Sequence, residues 1–354
     1  MYIEMFNFWY FFWMFIQAGA TVGLYFLLRK ARPFTQNAVL FSLLIVGVAL
    51  HFLKIYIAPY GEMINGEWEI TSRGLRDSWF VNICGANILL FPIFFFTKNK
   101  YIKDYMFYIG LISGIIVFFY PQEPIAKGDA AAQMAETWDI MRFYYHHWMI
   151  MTIPLLTVLL KKHKLSWKRV WIAPVGLLAL MLFIILNQVF QSELGFIPLR
   201  NDAIIPNYKN TSYIWGPLNQ DGTMDPIGAI FDIFCPSVFK KLPVACDGYE
   251  YAAGTVKYWP WFWLIVPCFV LVTPLAFGIS LIFEGKIFKS DVPEFVRRAR
   301  CGELRQWFRA LGRRIHASVT LENPNKKRNS LEADSDIVES HELQIDSEAL
   351  SKNQ

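Results

Sequence analysis

Charge is scarce in this chain: only 18% of its 354 residues are charged, against 55% hydrophobic and 17% aromatic. A soluble core could not bury that much apolar surface, so the composition excludes an ordinary soluble domain and points to a polytopic membrane protein. Ahead of the first apolar run stands Glu4 with no positive charge, and the basic residues Arg29, Lys30 and Arg32 follow the run instead. That order argues against a cleaved signal peptide and for a retained first helix. Histidine is rare as well, six in all, with a single adjacent pair at His146-His147.

What is present is a set of apolar runs. They read as segments 8–28, 38–58, 79–97, 101–120, 146–161, 169–190 and 259–283, mostly near the ~20 residues that span a hydrocarbon core as helix. The fold class expected is therefore all-α, a transmembrane helical bundle of about seven spans. Basic clusters mark the loops retained in the cytoplasm. They occur at Arg29-Lys30-Arg32, at Lys98-Lys100-Lys103, at Lys161-Lys162-Lys164-Lys168-Arg169 and from Lys286 onward. The intervening loops 59–78, 121–145 and 191–258 are mixed or acidic, with Glu62, Glu67, Glu69, Asp129, Glu136 and Asp139 among their charges. Every second loop is thus inside, which sets the amino terminus outside, the carboxyl terminus inside, and an odd number of spans.

On this topology Cys84, a few residues into a segment that starts near Trp79, and His146-His147, opening the fifth segment, both belong to the outer half. A lone intramembrane cysteine is more often a small buried hydrophobe than a nucleophile. Its neighbours Asn82 and Asn87 shift that balance, because unpaired amides in hydrocarbon cost several kcal/mol and must meet partners or a wet cavity. His51 and Lys54 add ionisable groups at the outer end of segment two, where Lys54 can snorkel and His51 can be a plain interhelical bond. Asn187, Gln188 and Gln191 cluster at the outer end of segment six. The inner halves read as largely apolar, which disfavours a transporter.

The run Asn82-Ile83-Cys84-Gly85-Ala86-Asn87-Ile88-Leu89-Leu90-Phe91-Pro92 resembles the cysteine-bearing helix of the YwaF-like integral membrane proteins, related to the transmembrane protein 164 acyltransferases. Gly110 to Pro121, His147 to Pro154, Asn187, Asn210 to Pro217 and Trp259-Pro260-Trp261-Phe262 continue the resemblance in order, over about residues 8–284. The resemblance implies acyl transfer between glycerophospholipids and lysophospholipids, with Cys84 as nucleophile and His147 as base, His146 remaining a candidate. Such a reaction needs donors for its oxyanion, and Asn82, Asn87, His51 and Asn187 are expected around the substrate or that oxyanion; no cofactor, metal or nucleic acid is expected. Before the cysteine, Trp79-Phe80-Val81 departs from the family's usual start, and no carboxylate obviously orients His147, Glu136 and Asp139 lying two to three turns upstream.

Beyond the membrane domain 1–284, the external region 191–258 reads as a cap over the pocket, with a disulfide between Cys235 and Cys246 expected there. Asn210-Thr211-Ser212 is a glycosylation sequon. Within the juxtamembrane region 285–319, residues 291–318 read as a basic amphipathic helix that rests on anionic headgroups, each arginine contributing about 1 kcal/mol. Residues 320–354 have the composition of a disordered tail. Three functions remain: a plasma-membrane lipid acyltransferase with its site toward the outer leaflet, a solute or lipid transporter, and a scaffold acting through its basic tail.

Overall fold

The computed structural model describes residues 2–80, 82–126, 129–195, 212–217, 224–240 and 258–300, together with 309, 310 and 313. Two compact units divide the chain, residues 1–285 and 286–354. The first is a helical bundle, and all seven apolar segments fall on its helices. Among the described residues, five stretches are long and apolar enough to cross a membrane: Phe8–Leu28, Pro33–Tyr56, Lys100–Ile125, Trp167–Gln191 and Phe262–Pro293.

α1 (Phe8–Leu28) starts at Asn7, whose side chain accepts from the Tyr10 N–H at 2.9 Å. α2 (Pro33–Leu53) begins five residues earlier than the apolar run implies. Pro33 suits a first helical position, and Gln36 turns back to cap the Leu28 carbonyl at 2.9 Å. The loop that follows folds into a hairpin of β1 (Gly61–Ile64) and β2 (Glu67–Ile70), then α3 (Ser72–Asp77). α4 (Ile83–Phe96) begins four residues later than expected, because Asn82 is its N-cap and stops the helix from reaching back to Trp79. α5 (Lys100–Phe119), α6 (Gln122–Ala126) and α7 (Ala130–Ala135) lead into α8 (Thr137–Leu159). This helix starts nine residues before the apolar segment at 146, since its early charges Asp139 and Arg142 are buried against each other rather than left in a loop.

α9 (Ile172–Glu193) and, after the short α10 (Pro226–Ile233), a final helical stretch complete the bundle. That stretch passes through α11 (Ile265–Pro267) and a π-turn at Cys268–Val272 into α12 (Thr273–Arg300). Backbone geometry departs from helical at Glu284 (φ −129°, ψ 21°).

α8 is the central helix. Lipid gives little hydrophobic drive between helices, so small residues and polar contacts decide which faces meet. α8 meets α1 through Gln17 Nε2 donating to the Tyr144 carbonyl (2.9 Å) and the Thr21–Thr152 hydroxyl pair (2.7 Å). It meets α2 through the Tyr145 hydroxyl donating to the Leu43 carbonyl (2.9 Å). Its closest neighbour is α5, where a Cβ on Gly110 would lie 2.5 Å from the Ile150 carbonyl oxygen and one on Gly114 would lie 2.3 Å from Met151 Cβ. Pro154 lacks the N–H that would normally bond Ile150, so Gly110 approaches a carbonyl that the helix leaves unpaired.

The end of the bundle read as cytoplasmic is less apolar than the sequence suggests. Asp104 is fully buried, accepting from His163 Nε2 at 2.6 Å and from Arg169 Nε. Tyr108 and Ser280 are buried in the same region of the sequence's inner halves, and Glu284 is 8% exposed. At Asp104, pairing with His163 and Arg169 from the connection between α8 and α9 removes the cost that made a buried carboxylate unexpected there.

Candidate active site

The opposite end of the bundle gathers the polar residues picked out in the sequence. Ahead of α4, the loop is fastened by α9: Asn187 Nδ2 donates to the Phe80 carbonyl (3.2 Å) and Gln191 Nε2 to the Arg76 carbonyl (3.2 Å). α4 then begins with Asn82 Oδ1 accepting from the Gly85 N–H at 2.6 Å, while the Ile83 N–H donates to Ser212 Oγ at 3.2 Å. Cys84 is therefore in the first turn, half-buried and unpaired, on a helix in contact with both α5 and α8.

The histidine pair divides cleanly. His146 has both ring nitrogens engaged, Nε2 donating to the Gly47 carbonyl at 3.0 Å and Nδ1 accepting from Arg142 Nη1 at 3.1 Å. His147 uses Nδ1 alone, donating to the Phe143 carbonyl at 2.8 Å. Because a carbonyl only accepts, that bond places the proton on Nδ1 and the lone pair on Nε2, which makes no bond among the described residues. Of the two imidazoles, His147 has the nitrogen that can take a proton.

Asn87, one turn after Cys84, is fully buried. Its Oδ1 accepts from the Tyr105 hydroxyl at 2.9 Å, and its Nδ2 has no partner among the described residues. His51 donates from Nε2 to the Ser78 carbonyl (3.2 Å), leaving a buried and unpartnered Nδ1. Its ring lies 6.2 Å from that of His146, and its Cε1 would touch a Cβ on Gly85 at 3.7 Å. Lys54 does not snorkel: it is 4% exposed and donates to the Asp77 carbonyl oxygen.

The structure thus brings Cys84, Asn82, Asn87, His51 and His146 to one region, with His147 on a contacting helix. Asn187 is placed on a supporting strap. The sequence reading missed Arg142, which binds Asp139, His146 and, through Nη2, the Tyr60 hydroxyl at 3.0 Å. A signal existed in the spacing, since Asp139, Arg142 and His146 are three and four residues apart and share a helical face. Lys54, Arg73 and Arg142 all lie over the Tyr60 ring, at 5.0, 5.2 and 5.3 Å from its centre. Burial pushes the Tyr60 phenol well above its ordinary range, so it remains a hydroxyl beside Arg142.

The described part of region 191–258 docks beside the start of α4. Trp215 Nε1 donates to Gln188 Oε1 (3.1 Å), and Asp225 accepts from Tyr213 (2.9 Å) and Gln122 (2.5 Å). Burial, with Asp225 alongside, raises the Tyr213 phenol and keeps it a donor. Cys235 is buried; Cys246, its expected partner, lies outside the described residues, as do Asn210 and 320–354. So does most of 301–318.

A family model described as the TMEM164 family matches residues 5–277. No curated protein and no solved structure matches the chain.

Proposed function

This chain belongs to the TMEM164 family, and on that premise we propose that it is an integral membrane acyltransferase working through an acyl-cysteine. The observation that carries the reading is the tautomer of His147, which presents an unprotonated Nε2 from a helix packed on the one that bears Cys84. A thiol attacks as thiolate, and an imidazole with a free lone pair is the group that makes it one.

In the first half-reaction His147 Nε2 takes the Cys84 proton and the sulfur bonds to an ester carbonyl carbon of a glycerophospholipid. The oxyanion collapses, the carbon–oxygen bond breaks, and the departing lysolipid oxygen takes the proton from His147. In the second, a lysolipid hydroxyl gives its proton to His147 and attacks the thioester; the carbon–sulfur bond breaks and Cys84 regains the proton. No cofactor is consumed. Asn87 Nδ2, buried without an acceptor among the described residues one turn from the thiol, is the side-chain donor suited to the oxyanion. Asn82 is committed to capping the helix. The site faces the outer leaflet of the plasma membrane, and the basic stretch 291–318 is drawn to anionic headgroups of the inner one.

Purified protein given a phospholipid with a labelled acyl chain and a lysolipid acceptor should transfer label, whereas Cys84→Ser and His147→Ala should lose at least about 100-fold. Equal transfer by all three proteins defeats the mechanism. Transport is the second reading, favoured by the buried polar groups at Asp104, Tyr108, Ser280 and Glu284. It gains if the wild type moves no label between lipids but carries a lipid or solute across vesicle membranes.

A further inference from the structure

An amide can serve an oxyanion only if its nitrogen, and not its oxygen, faces the reacting carbon. Asn87 carries both atoms on one side chain, and a half-turn about its last torsion exchanges them. Some other group has to hold the amide in one orientation. The only side-chain bond to Asn87 among the described residues is the Tyr105 hydroxyl donating to Oδ1 at 2.9 Å. Were the amide turned over, Nδ2 would donate to the Tyr105 oxygen, but the tyrosine proton and Asn87 Oδ1 would both be left buried without partners, against Nδ2 alone in the observed orientation. Leaving two buried groups unpaired costs more than leaving one, so the hydroxyl selects the observed orientation.

Tyr105 is itself locked. A Cβ on Gly176 of α9 would sit 2.3 Å from Tyr105 Cδ2, so the ring lies flush against a backbone that only glycine leaves open. The ring also makes an edge-to-face contact with Phe94 at 6.1 Å between centres. The phenol is 6% exposed and bridges α4, α5 and α9. Helical side chains tilt toward the amino terminus, so Asn87 covers the turn that holds Cys84. Cys84 in turn packs on the cluster that contains Tyr105.

We propose that Tyr105, packed against Gly176 and Phe94, is a positioning residue that turns the Asn87 amide nitrogen toward the oxyanion formed at Cys84. This rests on the acyl-cysteine reading. It assigns a role to a buried tyrosine that the sequence does not set apart from other core aromatics.

Two reactions of one thiol separate positioning from simple disruption. A short-chain nitrophenyl ester acylates Cys84 through a tetrahedral oxyanion and releases coloured nitrophenolate; Cys84→Ser supplies the background. Iodoacetamide alkylates the same thiol by displacement at a saturated carbon, with no oxyanion at all. In the purified full-length protein, Asn87→Ala should slow acylation by about 100-fold and Tyr105→Phe by at least about 10-fold, both leaving alkylation at the wild-type rate. Tyr105→Phe added to Asn87→Ala should slow acylation no further, because the tyrosine acts through the amide. Gly176→Ala, which removes no polar atom, should slow acylation selectively as Tyr105→Phe does. The proposal is overturned if Tyr105→Phe acylates like the wild type, slows both reactions alike, or adds its full effect to Asn87→Ala. A wild type that alkylates at Cys84 yet is never acylated instead removes the acyl-cysteine reading, and the positioning role with it.

Discussion

Adjacent residues on a helix point about 100° apart, and at His146-His147 that angle separates an imidazole with both nitrogens engaged from one with a nitrogen to spare. His146→Gln should therefore cost stability, about 1–3 kcal/mol for the buried bonds to Arg142 and Gly47, seen as a lower unfolding temperature in detergent. Label transfer should survive it; a loss as deep as that of His147→Ala would reverse the assignment. The residue types of the site were legible in the sequence because Cys84, Asn87, His51 and the histidine pair are polar interruptions of apolar runs, and hydrocarbon makes each one expensive. Which histidine carries the free nitrogen was not legible, since it depends on carbonyls of Gly47 and Phe143 that only the packed backbone supplies. Tyr105 was invisible for a simpler reason: an aromatic within an apolar run looks like any other core residue until its hydroxyl finds a partner.

At the scale of elements, hydropathy located the helices and missed their ends. α1 coincides with its apolar run, but α2, α4 and α8 start at Pro33, Ile83 and Thr137 instead of 38, 79 and 146. Each displaced end belongs to a polar residue whose cost is offset by a bond: Gln36 to Leu28 across the preceding turn, and Asn82 to Gly85 and Asp139 to Arg142 within the first turns of their own helices. Helix contacts were beyond reach of composition too, because they rest on small residues at chosen positions. Gly110→Ala places a methyl carbon against the unpaired Ile150 carbonyl and should cost about 1–3 kcal/mol through forced separation of α5 and α8. Thermal unfolding in detergent checks this. An unchanged midpoint would mean that the two helices are free to slide apart at no cost.

For the molecule as a whole, the alternation of basic and acidic loops implies that the hairpin side faces outward. Exposed positions Glu67 and Lys161 lie in loops of opposite expected sidedness. With Glu67→Cys or Lys161→Cys, a membrane-impermeant maleimide applied to intact cells should label the first above the wild-type background and the second only after permeabilisation. The opposite pattern inverts the topology and moves the site to the inner leaflet. The family match covers residues 5–277, so whatever the chain does catalytically should reside in the bundle. The straps on the start of α4 bear on how such a protein would meet its substrates. With the loop at Arg76 to Phe80 tied down by α9 and Ile83 held by Ser212, a lipid substrate of the proposed reaction would enter sideways, between helices. Its velocity would then follow the mole fraction of donor and acceptor within the two-dimensional film around it, and diluting that film with inert lipid would slow turnover even when the amounts in the tube stay constant.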